Sequence, residues 1–460
     1  MNEFDFISPF DFRYISGKKK KLYAEFLSEN ARIKYQAKVE VALVKALAKK
    51  KICSHKVVSQ VAKAAEQISA KEVYKEERRI KHDVKALVNC LRKRVSNEAK
   101  QFIHFSATSY DIVDTANALR YKDIVNHIVL PSLTELEKEL IRLSLKYKKQ
   151  IQIGRTHGQF AEPITFGFFL ANYVDRLGNR INEIKKTRNE LKGKFSGAVG
   201  AYNASGLLIS NPEEFEKIIM TELGLKPQLI STQVMHPEEV SDLMHALISA
   251  FTVLANFSDD MRNLQRSEIN EVMESFDSKQ VGSSTMPHKR NPINFENVKS
   301  FWKAFMPRMT SVYLDGISEH QRDLTNSASA RFLPEIFAAL SLSADRLTKT
   351  LKNLQVDKES LEFNFIVSSN SIIAEPLYIL LAKYGHKNAH EKVRELTLDS
   401  QKQGIPLLEL AFVDNELIPF LDKLTKKELE LLMNPHKYTG LSEKKTVKIC
   451  GFWKKELKKK

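Results

Sequence analysis

From His236 onward the apolar residues Val240, Leu243, Met244, Leu247, Ile248, Phe251 and Leu254 recur at spacings of three and four. That period is one face of an amphipathic helix. A helix of this length must bury its apolar stripe, and the partner that suits it best is another long helix, so a bundle is the expected architecture. Comparable stretches run over 112–148, 163–191, 291–314 and 322–351, with Pro131 placed to kink the first. Only 16 glycines and 14 prolines punctuate 460 residues, which favours long helices over sheets with many turns. The predicted fold class is therefore all-α.

Residues 21–51 and 57–95 also read as helices, ahead of a polar break at 96–111. After Leu351 the helical segments shorten to 361–367, 372–384, 389–401 and 407–412, punctuated by Pro376, Gly385, Gly404 and Pro406. A chain this long exceeds one simple core. We expect three helical domains: an N-terminal one over 1–110, a central long-helix bundle over 111–351 and a C-terminal one over 352–460. No internal repeat is visible.

The first ten residues carry acids rather than a basic start and an apolar run, so no signal peptide is expected. No apolar segment is expected to reach membrane-spanning length; Ile372–Ala382 is short and contains Glu375 and Pro376. Cys53, Cys90 and Cys450 are isolated and odd in number, offering neither a disulfide framework nor a CxxC metal site. A cytoplasmic location fits. The net charge of +16, with lysine runs at 18–21, 49–51 and 458–460, comes without a zinc finger, an RNA-recognition motif or a basic zipper. It reads as a solvated surface that attracts small polyanions rather than as a nucleic-acid interface.

One stretch breaks the helical pattern with hydroxyls, prolines and charges: Gly282-Ser283-Ser284-Thr285-Met286-Pro287-His288-Lys289-Arg290-Asn291-Pro292-Ile293-Asn294-Phe295-Glu296. Asn291-Pro292 reads as an N-cap followed by proline at the first helical position. The loop then faces a helix N-terminus, where N–H groups and the dipole favour an anion, and Lys289 adds a full charge. A second candidate is Gly154-Arg155-Thr156-His157-Gly158-Gln159, in which His157 sits on an exposed turn and can deliver a proton near neutrality. A third is His104-Phe105-Ser106-Ala107-Thr108-Ser109-Tyr110-Asp111-Ile112-Val113-Asp114-Thr115, where Ser109 or Asp111 could simply cap the next helix. The glycines of 193–200 match neither a P-loop nor a dinucleotide fingerprint. They predict a tight turn with close backbone approach, and no ATP or NAD site.

The 282–296 string resembles the signature loop of the fumarase/aspartase superfamily. Its SSTMPHKRNP form, followed by FEN, is most similar to the adenylosuccinate lyase family. GRTHGQ resembles the superfamily's histidine motif, and Thr108-Ser109-Tyr110-Asp111 its TS-x-D motif, with Ser106 departing from a glycine often found there. Arg13-Tyr14, Lys81-His82-Asp83, Thr232-Gln233 and the run Gln321–Ser327 with Arg331 are similar to the family's nucleotide-recognition pieces, in family order. A hydroxyl and a guanidinium at Ser327 and Arg331 would share one helix face and clamp a phosphate.

The resemblance implies β-elimination of fumarate from adenylosuccinate, giving AMP, and from the succinylated carboxamide ribotide SAICAR, giving AICAR. It implies Ser283 as general base and His157 as general acid, assisted by Lys289 and Glu296. Substrate contacts are implied for Arg13, Tyr14, Lys81, His82, Asp83, His104, Thr108, Ser109, Gln233, Met286, Asn291, Arg322, Ser327 and Arg331. No metal and no cofactor are implied. The expected partners are purine nucleotide substrates and three further copies of the chain, in a homotetramer whose long-helix bundles form the core and whose active sites are shared between subunits; neither membrane nor nucleic acid is among them. Argininosuccinate lyases, fumarases, aspartases and carboxymuconate cycloisomerases share the signature loop, and only the nucleotide-associated pieces separate the chain from them.

Overall fold

The computed structural model describes residues 7–276, 285–286 and 288–459. Helices dominate it, the long ones being Glu29–Lys49, Ser109–Ile124, Leu130–Lys146, Phe166–Glu190, Glu238–Leu264 and Pro334–Lys352. The all-α expectation holds. The sequence gives each helix its start and stop. Ser28 caps the second helix by accepting the Ala31 N–H at 3.2 Å, and Asn211 caps Pro212–Glu222, which has proline in its first turn. Gly404, with φ +71°, ends Ala389–Gln403.

Pro131 lies within a continuous helical run and leaves its mark as a change of helix type. Residues Val125–Val129 widen into a π-helical turn, and the Leu130 N–H bonds back to Val125 rather than to residue 126. The wider turn makes room for a ring that lacks an N–H and would otherwise strike the preceding turn's carbonyl.

The chain divides into two compact units, each assembled from separated pieces: 1–134, 179–254 and 300–345 in one, 135–178, 255–299 and 346–460 in the other. The first unit contains a core in which Ile33, Val44, Val57, Val61, Leu87, Val88, Leu91 and Ile103 are buried together. The second contains a core from Leu377, Leu381, Val393, Leu407, Ala411, Leu417 and Leu432. A smaller cluster there joins Ile151 and Ile153 to Phe365 and Ile372.

Three departures from the expected pattern are informative. The stretch ahead of residue 166 is not the start of a helix but an antiparallel hairpin of β1 (Ile151–Thr156) and β2 (Gln159–Thr165). Pro163 is tolerated inside β2 because a two-stranded ribbon leaves one edge unpaired. The expected helix over 322–351 begins only at Pro334; residues 322–324 are irregular, 325–328 form turns and Ser329–Phe332 a 3-10 turn. Proline cannot occupy a helix interior cheaply but suits its first position, so Pro334 sets the boundary. Finally, two helical stretches, Glu238–Leu264 and Lys358–Lys383, are long and apolar enough by length and composition to cross a membrane, contrary to expectation. The first buries 61% of its most apolar window within the chain itself. The second is two helices, with a break at Ile373. All three cysteines are free.

Candidate active site

The Ser109–Ile124 helix carries one wall of a cavity of about 900 Å³ in the first unit. Tyr110, Asp114, Asn117 and Tyr121 follow one another at helical spacing and all line it. The helix starts where it does because the Asp111 carboxylate folds back onto the Thr108 N–H at 2.9 Å. Asp111 is fully buried and forms an ion pair with equally buried Lys194. It also accepts the Ser196 N–H at 3.1 Å and the Gly197 N–H at 3.3 Å. The glycine-containing loop is thus a tight structural turn anchored on this helix, as expected. Gly200 has φ +78°, and a Cβ there would lie 1.9 Å from the Ser231 carbonyl oxygen, so only glycine fits.

Seven of the expected substrate residues meet around this cavity: Lys81, His82, Asp83, Ser109, Gln233, Ser327 and Arg331. They come from four separated segments. Lys81 adopts a left-handed conformation, φ +58°, which ends the Ala70–Ile80 helix, and His82 caps the next one by accepting the Lys85 N–H through Nδ1. Ser327 and Arg331 share the cavity without sharing an α-helical face, because the backbone between them is turn and 3-10 helix. Arg322 lines an adjoining smaller cavity of about 140 Å³. Its guanidinium stacks 4.0 Å from the Tyr110 ring centroid, donates to the Tyr110 hydroxyl and reaches Asn326 Oδ1 at 3.0 Å. Arg13 is exposed, and half-buried Tyr14 packs edge-on against Phe301 at 4.6 Å. Neither lines the cavity, although Phe10, Asp11 and Ile15 beside them do.

His104 stands just ahead of this helix at φ +62°. Its backbone N–H and its Nδ1 each lie 2.8 Å from an oxygen of buried Glu40. Burial pulls the imidazole pKa down, but the Glu40 charge and hydrogen bond outweigh it, and the net shift is upward.

His157 belongs to the second unit. It occupies the two-residue turn between β1 and β2 with Gly158, at φ +55° and +76°. Two successive positive φ values match the right-handed twist of a tight hairpin. The turn presents the imidazole to solvent. Its base is rigid: fully buried Glu271 accepts from Gln152 Nε2 and Arg155 Nη2 at 2.7 Å each, and from Asn364 Nδ2 at 3.0 Å. At the β-bulge between Ile153 and Arg155, a side chain on Gly154 would put Cβ 2.4 Å from the Glu162 carbonyl oxygen.

Ser283 lies outside the described residues. Of its neighbours in the signature stretch, Met286, Lys289 and Glu296 are exposed and Asn291 is half-buried. Among the described residues Lys289 and Glu296 form no ion pair with each other. The helix after the stretch starts at Ile293 rather than at Pro292. Its first N–H groups are already occupied: Glu274 accepts from the Asn294 and Phe295 N–H groups at 3.0 and 2.9 Å and from Asn294 Nδ2 at 2.6 Å. Burial pushes the Glu274 carboxyl pKa up, with the N–H groups pulling against it. The anion expected at this terminus is therefore supplied by the chain itself.

Residues 15–304 match the family model described as lyase, and residues 318–439 match that of the adenylosuccinate lyase C-terminal region. The chain belongs to the adenylosuccinate lyase family. It is a lyase. Among curated family members, the adenylosuccinate lyase of Pyrococcus abyssi is 37% identical over 441 residues, covering 94% of this chain and 95% of its own. The enzyme of the same name from Pyrococcus horikoshii is 36% identical over 453 residues, covering 97% and 98%. The fold is also that of a 3-carboxy-cis,cis-muconate lactonizing enzyme from Pseudomonas putida, with a TM-score of 0.83 at 22% identity over 97% of this chain and 99% of that one. Sequence reasoning did not single out Tyr110 and Asp114 as cavity-lining residues, nor Glu40, Lys194 and Glu274 as the partners of His104, Asp111 and the helix that starts at Ile293. For Tyr110 and Asp114 a signal existed, since their i, i+4 spacing follows directly on Ser109.

Proposed function

We propose that the chain cleaves adenylosuccinate to AMP and fumarate, and SAICAR to AICAR and fumarate, in purine nucleotide biosynthesis. The observation that carries this reading is the convergence of Lys81, His82, Ser109, Gln233, Ser327 and Arg331 on one cavity from motifs scattered over 250 residues of sequence. Carboxylates such as Asp83 and Asp114 also line the cavity, but the cations, hydroxyls and amide of these motifs suit a phosphorylated ribonucleotide.

In this reading Ser283 removes the proton on the carbon next to a carboxylate. The electron pair forms the new C=C bond of fumarate as the C–N bond breaks, and His157 protonates the departing nitrogen. Ser283 must be an alkoxide to act, so nearby positive charge is required; Lys289 is a cation within the same stretch. Glu296 and Asn291 would orient the acid and a substrate carboxylate, and Met286 would cover the substrate. Arg13 and Tyr14 would join the nucleotide contacts, as would His104, Thr108 and Arg322. The chain works as a cytoplasmic homotetramer in which different subunits supply Ser283, His157 and the nucleotide cavity. We read the chain as three helical domains, 1–110, 111–351 and 352–460, with Ser283 and His157 both in the central one.

Substrate choice is tested by incubating the protein separately with adenylosuccinate, SAICAR and argininosuccinate and resolving the products by chromatography. Fumarate from the first two alone is expected. Turnover of argininosuccinate alone would overturn the nucleotide assignment while keeping the elimination.

A further inference from the structure

Asp114 lies in the third candidate stretch without a role assigned to it, yet it borders both the large cavity and its smaller neighbour. Its Oδ2 accepts the Met235 N–H at 2.9 Å, which ties the Ser109–Ile124 helix to the segment that carries Gln233. One turn earlier on the same helix face, Tyr110 holds Arg322, and with it the segment that leads to Ser327 and Arg331. The two tied segments meet each other, since the Gln233 N–H donates to the Gln321 carbonyl at 3.3 Å. One helix face, two irregular segments and the bond between them therefore close a triangle. Neither segment has regular secondary structure of its own at these positions, so tertiary tethers must fix their geometry.

We propose that Asp114 is a positioning residue that holds the Gln233 and Arg322–Arg331 segments in register across the substrate cavity and so sets substrate affinity. This rests on the reading of the cavity as the nucleotide site. The carboxylate acts through its neighbours: a shift of either segment displaces donors that must reach the substrate together. Burial pushes its pKa up to about 6, against the Met235 N–H and the charges of Lys194 and Arg322, with Asp111 adding to the rise. Other ionisable groups around it are Tyr110 and Tyr121 on its own helix, His82, Asp83 and Arg331 around the large cavity, and His236, Asp315 and Asp323 around the small one. Acidification through that range removes the charge that strengthens the Met235 bond, so apparent affinity falls at low pH.

The test compares Asp114→Asn, which keeps an acceptor of the same shape, with Asp114→Val, which keeps the volume and loses the acceptor. For adenylosuccinate at about pH 7.5, Val is expected to raise KM by about tenfold or more, as for loss of a hydrogen bond to a charged group, with a smaller change in kcat. Asn should restore most of that loss and abolish the acid limb of kcat/KM that the wild type shows near the Asp114 pKa. Amide hydrogen exchange without substrate provides the second readout: Val should speed exchange over 232–236 and 321–327, and Asn should not. Equal KM values in all three proteins, or exchange in these segments unchanged by Val, would overturn the proposal. An acid limb retained in Asn would overturn its ionic part. A wild type that ignores adenylosuccinate overturns the proposed function instead, and the exchange comparison then decides the tether alone.

Discussion

At the scale of single residues, two of the histidines singled out by the motifs sit where histidine is uncomfortable. His157 and His104 have φ values of +55° and +62°, a left-handed conformation that costs a residue with a Cβ about 1 kcal/mol or more. At His157 glycine would relieve that cost. Thermal melts of His157→Gly should show a variant about 1 kcal/mol more stable than wild type that no longer releases fumarate; an active or destabilised variant would contradict the acid role or the strain. At His104 the cost is offset by Glu40, whose carboxylate receives both the backbone N–H and the imidazole. Because the His104 pKa is raised on folding, the stabilisation is complete below the ordinary histidine pKa and fades as pH climbs through the raised one. Denaturant unfolding should therefore find Glu40→Gln less stable than wild type by about 1–3 kcal/mol in mild acid, with the gap narrowing in mild alkali. A gap that is constant across this range would show that the pair does not titrate as described.

At the scale of elements, the close approach of the 197–200 turn to Ser231 fixes the strand of chain that carries Gln233. Gly200→Ala places Cβ against a backbone carbonyl at an unfavourable φ. It should cost about 1–3 kcal/mol and raise KM more than it lowers kcat; a neutral substitution in both respects would contradict the packing. The helix at Glu238–Leu264 was legible because burial writes a three-to-four period into it, whereas the expected helix over 57–95 is broken at Ile68–Ser69 and at Lys81–His82 into three. The hairpin at 151–165 was not, because only Ile151 and Ile153 alternate before Gly154, and its anchor, Glu271, lies over a hundred residues away with no local pattern to mark it. The start of the helix at Pro334 was readable from proline's preference for the first turn, but the apolar run 332–340 masked it. Likewise Glu274 caps a helix about twenty residues on, a contact that only the folded chain creates. Motif strings made the cavity residues legible from Lys81 to Arg331. What they did not convey was that Arg322 turns toward Tyr110 and that Ser327 and Arg331 share a cavity without a helix between them.

At the scale of the whole molecule, the proposed nucleotide cavity belongs to one compact unit of the chain and His157 to the other, and shared sites follow from the proposed tetramer. Inactive Ser283→Ala and His157→Ala proteins, mixed and reassembled, should then regain part of the activity; verified mixed tetramers without activity would refute sharing. The central claim remains elimination from adenylosuccinate with Ser283 as the base. Its most direct test follows the ultraviolet absorbance of adenylosuccinate with wild type and with folded Ser283→Ala in parallel, identifying AMP and fumarate at the end. Conversion by wild type and a loss of several orders of magnitude in the variant are expected, as for removal of a residue that acts in the transition state. Equal rates in the two proteins, or no conversion by a well-folded wild type, would contradict that claim.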